Sequence, residues 1–251
     1  MKKLLIILSI LILVVGCRKD PAPPNYLTCS CYVDSSSTQY FFNEQYDFAY
    51  QEISNDPNHP GYEEIILDPE TVYYYLGRLS AIYQSAKDTI GSLHDMLFKY
   101  KVHNHGSGKP VLNTLTVKFT DSSSLRNELM NQLGYTSNNL LNEVYTVYGF
   151  NSFYFSQFNE TVIMSGTNFY NVQATKNLLE GIPEIEQVEL SYNFIDGNVI
   201  THQKIGEVDE FIFDYGWGDC PSGCFAHHYW KVQVDKQCKV NLVTEYGNEL
   251  Q

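Results

Sequence analysis

The sequence predicts an α+β protein: a β-α-β-β-α-β sandwich followed by a C-terminal antiparallel β-meander, with an N-terminal helical and irregular segment before them. Three observations carry this prediction. Between residues 115 and 192 the apolar residues switch between a period of two and a period near 3.6, in the order strand, helix, strand, strand, helix, strand. From residue 211 onward, three runs alternate with period two around one glycine-rich loop. The 251 residues are 43% hydrophobic and 18% charged, which is the balance of a chain that folds around a core.

The chain opens on a leader. Lys2 and Lys3 precede an apolar run from Leu4 to Val15, and Val14-Val15-Gly16-Cys17 closes it, the layout of a signal peptide over residues 1–16. As a helix that run spans about 18 Å, short of the roughly 30 Å of a bilayer core, which disfavours a transmembrane anchor. Val14 to Cys17 resembles the lipobox of bacterial lipoproteins. The resemblance implies cleavage before Cys17 and a diacylglycerol on its thiol; an ordinary secretory leader that happens to hold a cysteine is the alternative. Acylation of both the thiol and the new amino terminus gives the two-chain anchoring that holds a protein on a membrane, so the membrane is an expected partner. Arg18 to Pro24 contains Pro21, Pro23 and Pro24 and no apolar pattern, so residues 17–25 read as an extended tether. In lipoprotein sorting an aspartate after the cysteine favours the inner membrane; Arg18 in that place implies the outer membrane, with the folded part outside the cytoplasm.

Residues 26–110 form the N-terminal α+β segment. Tyr26 to Asp56 is rich in Tyr, Phe and Ser without a sustained period and reads as short strands and loops. A helix follows: Asp68 caps it, Pro69 fits its first position, Glu70 favours its positive end, and Val72, Leu76, Leu79 and Tyr83 recur at helical spacing. Tyr73, Tyr74 and Tyr75 are a binding stripe if exposed and core if buried, and helical aromatics favour core. Phe98, Tyr100 and Val102 alternate against Lys99, Lys101 and His103, which predicts a half-buried strand. The following His103-Asn104-His105-Gly106-Ser107-Gly108-Lys109-Pro110 fails as a phosphate loop because Pro110 stands where a hydroxyl residue must open a helix. His103 and His105 share a strand face at metal-ligand spacing, but no acidic or thiolate partner lies near them in sequence, so solvated histidines are the simpler reading.

Residues 111–195 carry the sandwich. Leu115, Val117 and Phe119 alternate as a strand; Leu125, Leu129 and Leu133 mark a helix capped near Asp121 or Ser122 and stopped at Gly134. Val144 to Tyr148 and Phe153 to Phe158 read as two strands, Val172, Leu178 and Leu179 as a helix ending at Gly181 before Pro183, and Val188, Leu190 and Tyr192 as the last strand. This order predicts a ferredoxin-like sandwich, an antiparallel sheet with both helices on one face.

The segment from Leu115 to Glu189, with Gly149-Phe150 before a core strand and a helix leading into Gly181-Ile182-Pro183-Glu184, resembles the propeptide domain of subtilisin-like proteases. That resemblance implies a chaperone or inhibitor role. Too little chain follows Tyr192 to hold such a protease, so inhibition would act in trans.

Residues 196–251 hold the meander. Phe211 and Phe213, then Trp230, Val232 and Val234, then Val240 and Leu242 alternate, with a turn near Asp235-Lys236-Gln237, which predicts three strands. The loop between the first two runs concentrates the unusual residues: Trp217, Asp219, Cys220, Cys224, His227, His228 and Trp230. Its GDCPSGC-x3-HYW pattern resembles a signature of secreted or lipid-anchored proteins of the Bacteroidota, a resemblance that brings no activity with it. Trp217, Asp219, His227, His228 and Trp230 are the candidate ligand-binding residues. Cys220, Cys224 and His227, completed by His228 or Asp219, also have zinc-site spacing, but exported thiols oxidise, so a Cys220–Cys224 disulfide is the stronger expectation. Asp209, Glu210, Asp214 and Asp219 lack the dense loop of a calcium site. Lipidation of Cys17 leaves an odd number of cysteines. Cys224 and Cys238 flank a strand about 23 Å long, beyond the roughly 4.4–6.8 Å that a disulfide spans, so Cys238 stays unpaired or reaches Cys29 or Cys31. The loop disulfide is expected to hold Trp217 and the two histidines for binding rather than to act in redox chemistry.

Function classes narrow by exclusion. A formal charge of −13 with no basic stripe argues against nucleic acid. No GxSxG elbow, HExxH helix or dinucleotide fingerprint is present, and the adjacent pairs Glu63-Glu64 and Asp209-Glu210 point to opposite strand faces and read as solvated edges, so no catalytic residue, cofactor or metal is assigned. The expectation is a lipid-anchored envelope protein that binds a protein or glycan ligand without catalysis; a protease inhibitor and a metal-dependent hydrolase centred on the Cys/His loop are the alternatives. Asp88-Thr89-Ile90 matches a short pattern glycosylated in exported Bacteroidota proteins, and reads equally as a helix cap. Replacing the anchor residue is the direct check on the leader: a Cys17→Ser chain is expected to lose palmitate labelling and to leave the membrane fraction, and retention of both would refute lipidation at Cys17.

Overall fold

The computed structural model describes residues 31–104, 108–120, 124–131, 136–156, 161–192 and 197–250. Cys17, the tether, Cys29 and His105 lie outside these residues. An N-terminal helical layer comes first: α1 (Ser35–Tyr40), α2 (Phe42–Asn55), α3 (Pro69–Lys87) and a short α4 (Ser92–His94) that widens into a π-helical turn over Asp95–Lys99. Two four-stranded antiparallel sheets follow. The first contains β1 (Pro110–Phe119), β2 (Ser152–Ser156), β3 (Thr161–Ser165) and β4 (Ile185–Tyr192) in the order β2-β3-β1-β4, with α5 (Leu125–Met130), α6 (Asn139–Thr146) and α7 (Val172–Glu180) in its connections. The second is a meander of β5 (Val199–Ile205), β6 (Val208–Trp217), β7 (Ala226–Val234) and β8 (Val240–Gly247).

Several expectations need correction. The 26–56 region contributes helices, where strands and loops were expected. Asp34 begins α1 with a reciprocal capping box, its carboxylate accepting from Ser37 N at 2.7 Å. Phe41, Phe48, Ala49 and Ile53 then bury at helical spacing, but Glu44 and Gln45 are buried beside them and break the apolar period. Phe98 to Val102 is no strand: the π-turn and Lys101 at φ +50° produce the apparent alternation while burying Met96, Leu97 and Val102. Val144 lies in α6, which Asn138 caps through Leu141 N, because packing of Leu141 and Val144 into the core overrides the strand-like Val-Tyr-Thr-Val-Tyr composition. The hairpin is β2–β3, so Thr161–Ser165 supplies the strand that Val144 to Tyr148 was expected to form. The meander has four strands; the mostly exposed β5 hides its period. The caps at Asp121 and Ser122 and the stop at Gly134 lie outside the described residues. Asp88 closes α3 at its C-terminal end, and Thr89 behind it donates to Ser85 O at 2.9 Å.

The long helix forms as expected, with Asp68 accepting from Thr71 N at 3.0 Å and Pro69 at its start. It positions the meander. Phe48 of α2 meets Phe211 edge-on at 5.6 Å, while Tyr74 and Arg78 of α3 reach the buried Asp209 of β6. Arg78 Nε sits 2.8 Å from the carboxylate, the Tyr74 hydroxyl donates to it at 2.7 Å, and His202 Nε2 of β5 donates at 2.9 Å. Arg78 also donates to the carbonyl of Asp235 in the β7–β8 turn. Asp209 and Glu210 do point to opposite faces, but neither is solvated: Glu210 is held by Gln203, Gln233 and Lys231 on the other side of the sheet.

Cys31 is bonded to Cys238 beside that turn, and Cys220 to Cys224 in the β6–β7 loop. Cys238 adopts φ +64°, a left-handed conformation unfavourable for a side-chain-bearing residue; Asp235 accepts the amides of Gln237 and Lys239 around it. Two disulfides are the mark of an oxidising compartment, outside the cytoplasm. Among the described residues no helix is long and apolar enough to cross a membrane.

Burial raises the pKa of Asp209, but hydrogen bonds from His202 and Tyr74 and the Arg78 charge outweigh it and hold the carboxyl below its ordinary 3.8. Its stabilisation is therefore complete above that value and is lost as pH falls below it. Asp209→Ala leaves Arg78 buried without its counter-charge and is expected to cost about 3–5 kcal/mol in urea unfolding at pH 7, with the difference from the parent chain narrowing in acid.

Candidate ligand-binding cleft and the disulfide loop

An open cleft of about 640 Å³ lies between the helical layer and the loop that follows β3, a volume in the range of small-ligand sites. Phe42 and Tyr46, one turn apart on α2, supply one wall and Tyr73 on α3 the other; Ile66 and the loop Thr167–Phe169 close the end. Phe169 stacks on Tyr46 at 4.2 Å and meets Phe42 edge-on at 5.5 Å. Tyr73 is 57% exposed and Phe42 47%, so these rings offer apolar area to a ligand, whereas Tyr74 and Tyr75 are buried. The tyrosine stripe thus divides between surface and core. No charged side chain is among the described residues that line the cleft, and its polar groups are amides and hydroxyls such as Gln45, Thr38 and Asn168.

The loop bearing Phe169 is fixed from beneath. Tyr170 bridges to Ile66, donates its amide to Leu112 O at 2.7 Å and its hydroxyl to Tyr148 O at 2.6 Å, and stacks on Phe150 at 4.1 Å. A Cβ on Gly166 would come within 3.0 Å of the Tyr170 ring, so glycine is needed there. Asn171 donates its side-chain amide to Tyr62 O and caps α7 through Ala174 N. Sequence reading missed Phe42, Tyr46 and Phe169. The only signal was the Phe-x3-Tyr spacing, which has meaning once α2 is recognised as a helix.

The residues expected to form the site divide between the two faces of the meander. His227 lies on the outer face, its Nδ1–H donating to Asp214 at 2.9 and 3.1 Å and its ring stacked over Tyr229 at 5.9 Å. His228 and Trp230 point inward and are buried, with His228 Nδ1 donating to Asn248 O at 2.8 Å and Trp230 packed near Tyr100 at 5.8 Å. Trp217 stacks on Tyr215 at 5.4 Å, and Asp219 is exposed ahead of the turn Cys220–Ser222. Adjacent strand residues alternate sides, so His227 and His228 cannot converge on one ion, and the two cysteines are joined to each other. Asp209 and Asp214 are likewise separated by the sheet.

His103 forms part of a third cluster. Its Nδ1 is 3.0 Å from the buried Glu44, which also accepts from Asn104 N at 2.9 Å, while the Asn104 side chain donates to Asp47 at 2.9 Å. Burial, and then the Glu44 charge, push Asp47 up to about 6 against the pull of Lys109; burial pushes the Lys109 ammonium down. Comparison of the chain with protein-family models, curated proteins and solved structures finds no match.

Because the folded pKa of Asp47 lies above its unfolded value, the neutral form stabilises the fold fully below pH 3.8 and that contribution is lost as pH rises through 6. Asp47→Asn, permanently neutral and still able to accept from Asn104, is expected to match the parent chain at pH 4 and exceed it by about 1–2 kcal/mol at pH 8, allowing for partial solvent screening and the lost attraction to Lys109. Urea melts across pH check it.

Proposed function

We propose that the protein is a lipid-anchored, non-catalytic binding module of the cell envelope, held on the membrane through Cys17 and binding a neutral glycan in the cleft between α2, α3 and the Thr167–Phe169 loop. The observation that carries the reading is the cleft's lining: exposed Phe42 and Tyr73 rings beside the amides of Gln45 and Asn168, with no charge among the described lining residues. Aromatic faces take the apolar faces of sugar rings while amides and hydroxyls meet their hydroxyl groups. An uncharged lining in a chain of net charge −13 favours a neutral ligand, since a bare anion would meet repulsion and a cation would find no carboxylate there. The lipobox, the tether and the outer-membrane address support display at the cell surface.

The first sheet supports a second reading. Its order β2-β3-β1-β4, with helices in both crossovers, is that of a ferredoxin-like sandwich, the fold implied by the resemblance to protease propeptides. Thr116, Lys118, Thr161, Gln187 and Glu189 form a shallow depression of about 280 Å³ on this sheet, a surface that an inhibitor could offer to a protease. Slow-tight inhibition of secreted serine proteases, abolished by Lys118→Glu, would favour this reading over the first.

Calorimetric titration of the full-length chain against a panel of neutral and acidic oligosaccharides tests the cleft. Neutral members are expected to bind; Tyr73→Ala and Phe42→Ala should each weaken them about tenfold, the worth of one aromatic contact, whereas Trp217→Ala should not. Binding that ignores both cleft variants, or no binding across the panel, would overturn the assignment.

A further inference from the structure

The two disulfides are not equivalent. Cys31–Cys238 joins residues 207 apart and Cys31 is buried, whereas Cys220–Cys224 joins residues four apart and both its cysteines are half-buried. A cross-link restrains the unfolded chain more as the loop it closes lengthens, so the small loop gives much the smaller stabilisation. Something other than stability is needed to account for where it sits.

Its surroundings are reactive in character. Gly216 of β6 carries no side chain, and a Cβ placed there would lie 2.7 Å from Cys224 Sγ and 3.2 Å from Cε1 of His227. Sulfur and imidazole therefore converge on one spot, no more than about 6 Å apart, the range over which a histidine stabilises a thiolate. Asp214 accepts the Nδ1–H of His227 with both oxygens, which fixes the ring's orientation beside Cys224. Glycine at 216 is the feature that permits this approach.

We propose that Cys220–Cys224 is a thiol–disulfide exchange site that accepts electrons from a dithiol protein of the envelope, with Cys224 as the leaving sulfur and the His227–Asp214 pair as its positioning group. This is independent of the glycan reading and departs from the sequence-based expectation of an inert loop, because the imidazole lies within about 6 Å of Cys224 Sγ. The partner's thiolate attacks Cys220 Sγ, the Cys220–Cys224 bond breaks, and its electron pair goes to Cys224 as a thiolate beside His227. A mixed disulfide between the partner and Cys220 results. The partner's second thiolate then attacks its own sulfur in that mixed disulfide and releases Cys220. The partner ends as a disulfide, the protein gains two thiols, and the two protons lost by the partner reside on Cys220 and Cys224. Reduction also frees the loop, whose Phe225 is 80% exposed and rests against Gly218.

The test titrates the full-length chain, carrying Cys29→Ser so that this residue cannot intercept the exchange, with dithiothreitol. Alkylation and peptide mapping then read each cysteine. The expected result is alkylation of Cys220 and Cys224 at a reductant concentration at least tenfold below that for Cys31 and Cys238, with the fold intact. His227→Gln should slow reduction of the loop severalfold and alter its pH profile, without altering reduction of Cys31–Cys238. Asp214 on β6 bonds His227 and Tyr229 on β7 stacks beside it, with Tyr246 of β8 on Tyr229, so Asp214→Asn serves as the second variant and should act in the same direction. Joint reduction of both disulfides only on unfolding would overturn the proposal, as would an unchanged rate and pH profile in both variants, since a merely structural histidine would alter stability and leave them untouched.

Discussion

The carboxylate of Asp209 fixes the relation between the helical layer and the meander. It accepts from Tyr74 and Arg78 on α3 and from His202 on β5, so one buried charge joins α3 to the β5–β6 hairpin, which lies far from it in sequence. Burying a charge is costly without partners, which makes the arrangement more a device of register than a source of net stability. Sliding α3 by one turn would carry Arg78 about 5.4 Å from its acceptor and leave both charges unpaired in the core. The same helix reaches the β7–β8 turn through the Asp235 carbonyl, and neighbouring Tyr75 donates to Glu52 on α2 at 2.6 Å, so both helices are located by polar contacts of defined direction.

With α2 and α3 fixed in this way, two walls of the cleft are set by the helices themselves. Its third wall arrives through Tyr170 and Asn171, whose backbone and side-chain bonds tie the loop before α7 to β1 and to the 61–66 segment. The rings that face the opening are therefore carried on rigid supports, and a ligand would find them already placed. The outer face of the meander differs in chemistry: Glu210, Gln203, Gln233 and Lys231 satisfy one another there, and Tyr229 stacks on Tyr246 at 4.9 Å.

Legibility in the sequence followed how far local preference agreed with packing. Asp68, Pro69 and Glu70 announce α3 because its cap, first position and first turn obey the same rules in isolation as in the fold. The alternation of Leu115, Val117 and Phe119 and of Phe211 and Phe213 was readable because these buried apolar side chains share one face of their strand. α2 was not, since Glu44, buried to hold His103 and Asn104, puts a polar residue on the core face where the period calls for an apolar one. β5 carries a single fully buried residue, Ile200, too little for any periodic signal. Among the site residues, the sequence singled out the Cys/His loop for its composition, but strand alternation separates its members. The cleft rings belong to three segments between 42 and 169, and nothing in their local sequence links them.

The Cys31–Cys238 bond also determines how the molecule bears a mechanical load. Tension applied to the chain ahead of Cys31 passes at that residue into the β7–β8 turn, which Arg78 grips from α3. Without the cross-link the same pull would enter α1 at Asp34 and peel the helices away one turn at a time, beginning with Phe41 and the aromatic wall of the cleft. With it, the force is shared between a covalent bond and the hydrogen-bonded ladders of β7 with β6 and β8.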